Sequence, residues 1–255
     1  MPRSRLPLAA LLGFFLGLVL CQAEPAWSGA FTLTPVRVVF SPDTRSALLT
    51  LRNQSPEALR FQLSLFAWDQ SPNGDMQLAP TEDLVFFPTL LTLAPGEMRH
   101  IRVGPATPFA STEKTYRLFV EELPPRATAD GAPAGVRVLT RMSVPIFLQP
   151  VPVVPQGRIE GLAVRHGTLS FQVQNTGNVH LVERMLRVRG FGPTGESLFE
   201  HQAAGWYVLA GGVRVHALEL PKEACAKIRA LAVEVHTEGA TLQERSDVPP
   251  GACGP

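Results

Sequence analysis

The chain has 255 residues, of which 45% are hydrophobic and 18% are charged, and its formal net charge is +1. This length accommodates two domains of about 100–150 residues each, and the apolar content is high enough to give both a buried core. The near-zero net charge argues against a nucleic-acid-binding protein, because such proteins present a strongly basic face to the phosphate backbone.

The N-terminus has the pattern of an export signal. The basic start MPRSR precedes LPLAALLGFFLGLVL, an apolar run that is shorter than the about 20 residues of a spanning helix. Small residues follow and predict cleavage after Ala23 or Ala30, whereas a retained membrane anchor is the alternative interpretation of the same run. Export and cleavage leave two cysteines, Cys225 and Cys253, in an oxidising compartment. We expect them to form one disulfide.

From FTLTPVRVVF onwards the sequence predicts an all-β protein. Short β-rich segments, among them SALLTLRN, LRFQLSLFAWD, MRHIRVGP and YRLFVEELPP, are separated by Pro, Gly, Asn and Asp turns. The same alternation returns after Pro150, in TLSFQVQNTG, VHLVERMLRVRG and VRVHALELP. No stretch keeps the apolar period of a helix over several turns, although PKEACAKIRAL is compatible with a single turn.

The two halves of the chain are similar to each other. Each contains a strand, an asparagine turn and a second strand, with Asn53 in the first half and Asn175 in the second. A Leu-Ala lead-in, a tight turn and another strand follow in both halves. Repetition at this spacing predicts two immunoglobulin-like β-sandwiches in tandem, joined by the stiff, proline-rich linker FLQPVPVVPQG. The predicted organisation is a signal peptide over residues 1–30, a first sandwich over 31–150 and a second sandwich over 151–255.

The sequence lacks the common motifs of catalysis. None of the six histidines pairs with another at three- or four-residue spacing, and no Cys-x-x-Cys motif offers half of a metal site. Neither a Gly-x-Ser-x-Gly elbow nor a glycine-rich phosphate loop occurs. Glu121 and Glu122 are adjacent, but neighbours on a strand point to opposite faces, which disfavours a shared acid–base role. We therefore predict no enzymatic activity, cofactor, metal ion or small-molecule substrate.

Four further segments follow one another in a characteristic order: TPVRVVF, LTLAPGEMRHIRVG, TYRLFVEELPP and SVPIFLQP. In that order they resemble the first strand, a Leu-x-Pro-Gly turn with its strand, the sixth strand and the end of the seventh strand of one family. This family is the periplasmic pilus chaperones of the chaperone–usher pathway (PapD-like). The Arg-x-Ser-x-Pro run is more similar to the archaic branch of the family. The resemblance implies two sandwiches in a boomerang arrangement, with a cleft between them.

In these chaperones a basic pair in the cleft anchors the C-terminal carboxylate of a pilus subunit. The resemblance places Arg37 at the position of the cleft arginine, whose forked donors suit a carboxylate. Pro145 stands where the common form has lysine, and proline has neither a charge nor a backbone donor. Arg141, on the same side of the strand, is the predicted substitute. For both arginines, a solvated strand residue is the alternative interpretation.

The seventh strand of the family is lent to a subunit whose own sandwich lacks a final strand. Its counterpart here is GVRVLTRMSVPIFLQP, and the two-residue strand period defines a predicted donor face of Val136, Val138, Thr140 and Met142. Each apolar side chain on that face would contribute about 1.5–3 kcal/mol when buried in a subunit groove. An ordinary core strand is the alternative interpretation. Met142 and Val144 in particular also suit the core of the chaperone itself.

The resemblance predicts a periplasmic chaperone that binds, folds and stabilises pilus subunits by donor-strand complementation and delivers them to an outer-membrane usher. It implies no nucleotide and no nucleic-acid partner, and it leaves open whether the free chaperone dimerises. The first alternative is a secreted two-domain adhesion or carbohydrate-binding module, with Trp68 and Trp206 as candidate ligand-stacking residues. An exported enzyme is the second alternative.

Overall fold

The computed structural model describes residues 30–125 and 137–253. These ranges contain eighteen strands and one short helix, which confirms the predicted all-β class. Residues 1–29 of the predicted signal peptide and Val136 of the predicted donor face lie outside the described residues. Within the described ranges, no helix has the length and apolar character needed to cross a membrane.

The first sandwich consists of two sheets packed around one core. Its strands are β1 Phe31–Thr34, β2 Val38–Phe40, β3 Ala47–Asn53, β4 Leu59–Gln70, β5 Met76–Pro80, β6 Leu84–Phe87, β7 Leu90–Leu93, β8 Met98–Pro105, β9 Lys114–Leu123 and β10 Arg141–Leu148. One sheet has the order β1-β3-β8-β6, and the other has the order β2-β10-β9-β4-β5, with β7 also pairing with β4. Alternate side chains of the strands point inward, and Phe40, Phe61 and Leu118 are fully buried at the centre.

The second sandwich repeats this architecture with fewer strands. Its elements are β11 Gly157–Arg165, β12 Thr168–Asn175, β13 Leu181–Phe191, β14 Ser197–Ala203, β15 Tyr207–Val208, β16 Val213–Glu219, α1 Lys222–Cys225, β17 Ala230–Thr237 and β18 Thr241–Asp247. One sheet has the order β11-β12-β16, and the other has the order β14-β13-β17-β18, with β15 pairing with β13. Helix α1 is the single turn that PKEACAKIRAL allowed. A disulfide joins its last residue, Cys225, to Cys253 near the C-terminus.

Each sandwich contains a buried asparagine at the end of a strand. Asn53 closes β3 and Asn175 closes β12, and both side chains are almost completely buried. The Nδ2 group of each donates hydrogen bonds to backbone carbonyls of neighbouring segments, and each Oδ1 accepts from the backbone N–H two residues later. These are the two asparagine turns of the sequence repeat, and in both cases the amide joins the strand end to an adjacent strand.

The two sandwiches meet at a small aromatic junction. Its core consists of Trp68, Phe147 and Leu209, with Tyr207 packed against them. The imidazole of His180 stacks on the ring of Phe147 with 3.8 Å between the ring centroids. This junction connects β4 and β10 of the first sandwich to the turn after β15 of the second. It thereby places the outer face of the β10 sheet against the second sandwich.

Candidate functional site

The candidate site begins at the edge formed by the first half of β10. All of β10 pairs with β9, from Arg141 opposite Glu121 to Leu148 opposite Lys114. On its other side, β10 pairs with β2 only from Ile146 onwards. Among the described residues, the stretch 141–145 therefore has a strand on one side alone. Its outward N–H and C=O groups form an open edge, which is the kind of edge that accepts an additional strand.

The predicted donor face is divided between solvent and the core. Val138 is 57% exposed, and its neighbour Leu139 is also exposed. Thr140 is half-buried, whereas Met142 packs against the core of the first sandwich, as Val144 does. The apolar side chains that are free in this structure thus precede β10. Met142 has the core contact that the sequence left open as an alternative for it.

The buried carboxylate of Glu122 contacts the segment that precedes β10 and holds it in place. The side chain of Glu122 is fully buried, and its carboxylate lies 3.6 Å from the guanidinium of Arg137 and accepts a hydrogen bond from the Thr140 backbone N–H at 3.3 Å. Arg137 also forms an ion pair with Glu57 at 3.0 Å. The adjacent Glu121 is on the opposite face, as expected from the strand period. Glu122 therefore holds the exposed Val138–Leu139 stretch close to the end of β9.

Arg37 lies where the two sandwiches meet. It immediately precedes β2, and its Nη1 is 3.0 Å and 3.1 Å from the two carboxylate oxygens of Glu238 in the second sandwich. Arg184 contacts the same carboxylate. Burial alone would raise the pKa of Glu238, but hydrogen bonds and positive charge from Arg37 and Arg184 hold this pKa below its usual value. Arg37 is thus already oriented toward a carboxylate, and its side chain remains 39% exposed.

Arg141 is far from Arg37 along the sheet. It forms an ion pair with Glu121 at 3.5 Å, and its guanidinium lies 4.1 Å from the centroid of the Phe119 ring. Four residues of extended chain, about 13 Å, separate Arg141 from Pro145, which lies in the row next to Arg37. The structure therefore does not bring the two predicted anchor arginines together. Arg141 occupies a solvated position with its own partner.

The residue that does lie near Arg37 is Arg117 of β9. It pairs directly with Pro145, and its guanidinium is stacked on Trp68 with 3.8 Å to the ring centroid. Sequence reasoning missed this residue, because Arg117 in YRLFVEELPP stands on an ordinary alternating strand. The one feature that could have drawn attention to Arg117 is a charged residue between the apolar residues at positions 116 and 118. The strand register that places it beside Pro145 is not readable from one sequence.

The aromatic residues considered for ligand stacking have structural roles instead. Trp68 is only 3% exposed and belongs to the junction between the sandwiches. Trp206 is partly exposed but packs edge-on against Tyr207, a second member of that junction. In the described part of the chain, no group of three or more His, Cys, Asp and Glu side chains is arranged to hold a metal ion. The arrangement suits binding of an extended chain with a carboxylate.

The comparison with protein families agrees with this geometry. Residues 30–153 match the family described as "Pili and flagellar-assembly chaperone, PapD N-terminal domain". Residues 30–153 therefore form a PapD-like N-terminal domain of the pilus-chaperone kind. Pilus chaperones of this family are periplasmic, and the family is one of chaperones rather than of enzymes. None of the curated protein sequences matches this PapD-like chain.

Solved structures of pilus chaperones share the fold of the PapD-like chain. One is the CsuC–CsuE chaperone–tip adhesion subunit pre-assembly complex from archaic Csu pili of Acinetobacter baumannii, with 15% identity, a TM-score of 0.57, and coverage of 86% of this chain and 98% of that chain. The YadV chaperone has 14% identity, a TM-score of 0.56, and coverage of 85% and 98%. The Salmonella enterica complex of SafA pilin with the SafB chaperone has 14% identity, a TM-score of 0.56, and coverage of 85% and 96%. At these low identities, the structural similarity shows a common fold alone.

Proposed function

We propose that this protein is a periplasmic chaperone of pilus assembly. It captures subunits as they emerge into the periplasm and adds the edge of β10, with the preceding exposed segment, to their incomplete sandwich. It then passes them to an outer-membrane usher through the surface of its first sandwich. The predicted signal peptide, residues 1–30, would direct export of the chain into the periplasm. No nucleotide is needed, because completing a sandwich releases free energy at each exchange of strands.

The open edge of the first half of β10 is the observation that carries this proposal. A free edge offers main-chain donors and acceptors to a partner strand, which supplies affinity independent of sequence. Val138 and Leu139 are exposed beside that edge and provide apolar surface. Burying such side chains contributes about 1.5–3 kcal/mol each. The open edge of β10 and these exposed side chains together suit a partner whose own sandwich lacks one strand.

The position of Arg37 supports a second contact, at the chain end of the subunit. The guanidinium already binds the carboxylate of Glu238, so its orientation fits an incoming carboxylate in the same place. Exchange of Glu238 for a subunit carboxylate conserves the number of ion pairs of Arg37. The exchange therefore changes the net electrostatic free energy of the cleft little. The contact itself would align the end of the subunit chain with β10. Arg37 would thus determine the register of the added strand.

Co-expression of the full chain with a pilus subunit tests the edge and the anchor separately. We expect Val138→Asp and Arg37→Ala each to reduce the amount of co-purified subunit by about tenfold or more. The first places a charge on the apolar contact and the second removes the anchor. Val85→Asp and Arg99→Ala are matched controls, because both residues are exposed on strands of the other sheet.

Wild-type recovery of the subunit by both test variants would contradict the proposal. The melting temperature of each variant must stay within a few degrees of the wild type for the comparison to be valid. Capture of immobilised glycans by the wild-type chain, without capture of any subunit, would favour the adhesion or carbohydrate-binding alternative.

A further inference from the structure

Arg137 and Glu122 form a charge pair between the segment that precedes β10 (residues 137–140) and the C-terminal end of β9. The side chain of Glu122 points inward, as that of Val120 does two residues earlier on the same strand. It is fully buried, and the residue paired with it on β4 is the equally buried Phe61. In the described part of the chain, Arg137 is the only basic residue within ion-pair distance of this carboxylate. The segment itself thus supplies the charge that compensates Glu122.

Two attachments hold this segment at the end of β9. The first is the side chain of Arg137, whose Nη2 is 3.6 Å from Glu122 Oε1. The second is the Thr140 backbone: its N–H donates to the Glu122 carboxylate at 3.3 Å, and its C=O accepts from the Glu122 N–H at 2.9 Å. Val138 and Leu139 lie between the two attachments, and both are exposed. The segment is therefore held at both ends while its apolar side chains face solvent.

Glu57 connects the same segment to the other sheet. Arg137 Nη1 is 3.0 Å from Glu57 Oε2, and Glu57 lies in the turn between β3 and β4. The backbone C=O of Glu57 accepts a hydrogen bond from Asn53 Nδ2 at 2.7 Å, and Asn53 is the last residue of β3. Since β3 belongs to one sheet and β9 to the other, the Arg137 guanidinium bridges both layers of the first sandwich. Its position is therefore fixed by the packing of the two sheets.

These contacts select one register of the segment along β9. Thr140 lies opposite Glu122, so the ladder between β10 and β9 continues one residue ahead of β10. A strand keeps the same side chains on each face when it slides by two residues, which is a displacement of about 7 Å. Such a slide would take Arg137 out of reach of Glu122 and leave a buried carboxylate without a counter-charge, which is strongly unfavourable. A single register is therefore favoured before any partner binds.

We propose that Arg137 is a positioning residue for strand addition and that Glu122 holds it in place. The inference rests on the proposed function, since it explains how the exposed segment is kept in register for a subunit. Ordering a segment before its partner arrives lowers the conformational entropy that is lost on binding. Arg37 aligns the chain end of the subunit, whereas Arg137 fixes the register of the chaperone's own segment. Arg137 thus acts through the segment and need not contact the subunit.

The positioning role is tested first in the full chain without a subunit. NMR follows the hydrogen exchange of the Thr140 N–H and the backbone order parameters of Val138 and Leu139. In Arg137→Met, we expect the Thr140 N–H to exchange about tenfold faster or more and the two order parameters to fall below about 0.6. Arg99→Met is the matched control, because it removes an exposed, ion-paired arginine from a strand of the other sheet. Values in Arg137→Met that equal those of the wild type would overturn the inference.

The second arm measures capture of a pilus subunit diluted from denaturant, and it separates positioning from folding. Arg137→Met leaves the buried Glu122 without its counter-charge, which destabilises the first sandwich. The double variant with Glu122→Gln removes both charges and keeps an acceptor for the Thr140 N–H. We expect this double variant to melt within a few degrees of the wild type but to capture subunit about tenfold more slowly. Arg137→Lys keeps the charge but loses the fork, so its rate should be intermediate.

Disulfide trapping reads the register directly. Val138→Cys is combined with subunits that carry one cysteine at successive positions of the groove. We expect trapping at one position in the otherwise wild-type chain, and also at positions two residues away when Arg137→Met is added. Identical trapping patterns, or capture by the double variant at the wild-type rate, would overturn the inference and leave the proposed function intact. Failure of the wild type to capture any subunit would reject the proposed function, and the inference with it.

Discussion

The buried amide of Asn53 provides a sharp test of how the first sandwich is held together. Its Nδ2 donates to the backbone carbonyls of Glu57 at 2.7 Å, Ala94 at 3.0 Å and Leu93 at 3.1 Å, and its Oδ1 accepts from the Ser55 N–H at 2.8 Å. Asn53→Ala would leave these four backbone groups without their partner. The Leu93 carbonyl and the Ser55 N–H are the more deeply buried of the four, and water can replace the amide at the others. At about 1–3 kcal/mol for each stranded buried group, we expect a loss of about 2–6 kcal/mol.

Asn175 offers a matched variant in the other half of the molecule. Its Nδ2 donates to the carbonyls of Val179 at 2.7 Å and Val208 at 2.9 Å, and its Oδ1 accepts from the Gly177 N–H at 2.9 Å. Asn175→Ala should therefore destabilise the second sandwich by a similar amount. Each asparagine acts within its own sandwich, so neither substitution should change the intrinsic stability of the other one.

Hydrogen exchange resolved by peptide, combined with urea unfolding, measures the two effects separately. Asn53→Ala should lower protection in β3 and β7, and Asn175→Ala should lower it in β12 and β15. A loss below about 1 kcal/mol for either variant would refute the reasoning, since solvent would then be satisfying groups that the structure places in the interior. Equal loss of protection in both sandwiches would show that the two unfold as one cooperative unit.

Two further predictions concern one sandwich each. The disulfide between Cys225 and Cys253 spans 28 residues, and loop entropy predicts that the double serine variant loses about 3–4 kcal/mol in denaturant unfolding of the second sandwich; an unchanged midpoint would contradict this. The hydrogen bond from the Tyr116 hydroxyl, 2.7 Å from Asp83 Oδ2, lowers the pKa of Asp83 below its usual value. A lowered folded-state pKa stabilises the protein above the unfolded pKa, about 4, and this stabilisation is lost as the pH falls through the folded pKa. Asp83→Asn should therefore lower the melting temperature at pH 7 but much less at pH 2, whereas a constant difference across this range would exclude ionisation of Asp83 as the cause.

The local patterns of the sequence were sufficient to predict many of the strands in each half, but not which strands pair with each other. Strands such as β4 and β12 largely alternate buried side chains with half-buried or exposed ones, and the alternation of apolar and polar residues in the sequence predicts this. The paired asparagines and the single turn of helix that PKEACAKIRAL allowed also follow from short segments, whereas the open edge of β10 was expected only from the family resemblance. Each of these local features depends on neighbours within a few residues, where the geometry of the chain itself decides the outcome.

The composition of the cleft could not be predicted in the same way. Whether Arg117 or Arg141 stands beside Arg37 depends on the register between β9, β10 and β2. A shift of four residues between β10 and β2 would place Arg141 there without altering the alternation of either strand. Glu238 reaches Arg37 from two hundred residues away in sequence. No local spacing encodes such a contact.

The sequence by itself thus determined the all-β class and the tandem repeat, because hydrophobic periodicity and turn chemistry act over short distances. Only the tertiary structure decided which charges meet between the sandwiches. The reason is that long-range strand register and packing of one domain on another, rather than the identity of any single residue, place Arg37, Arg117 and Glu238 around one cleft.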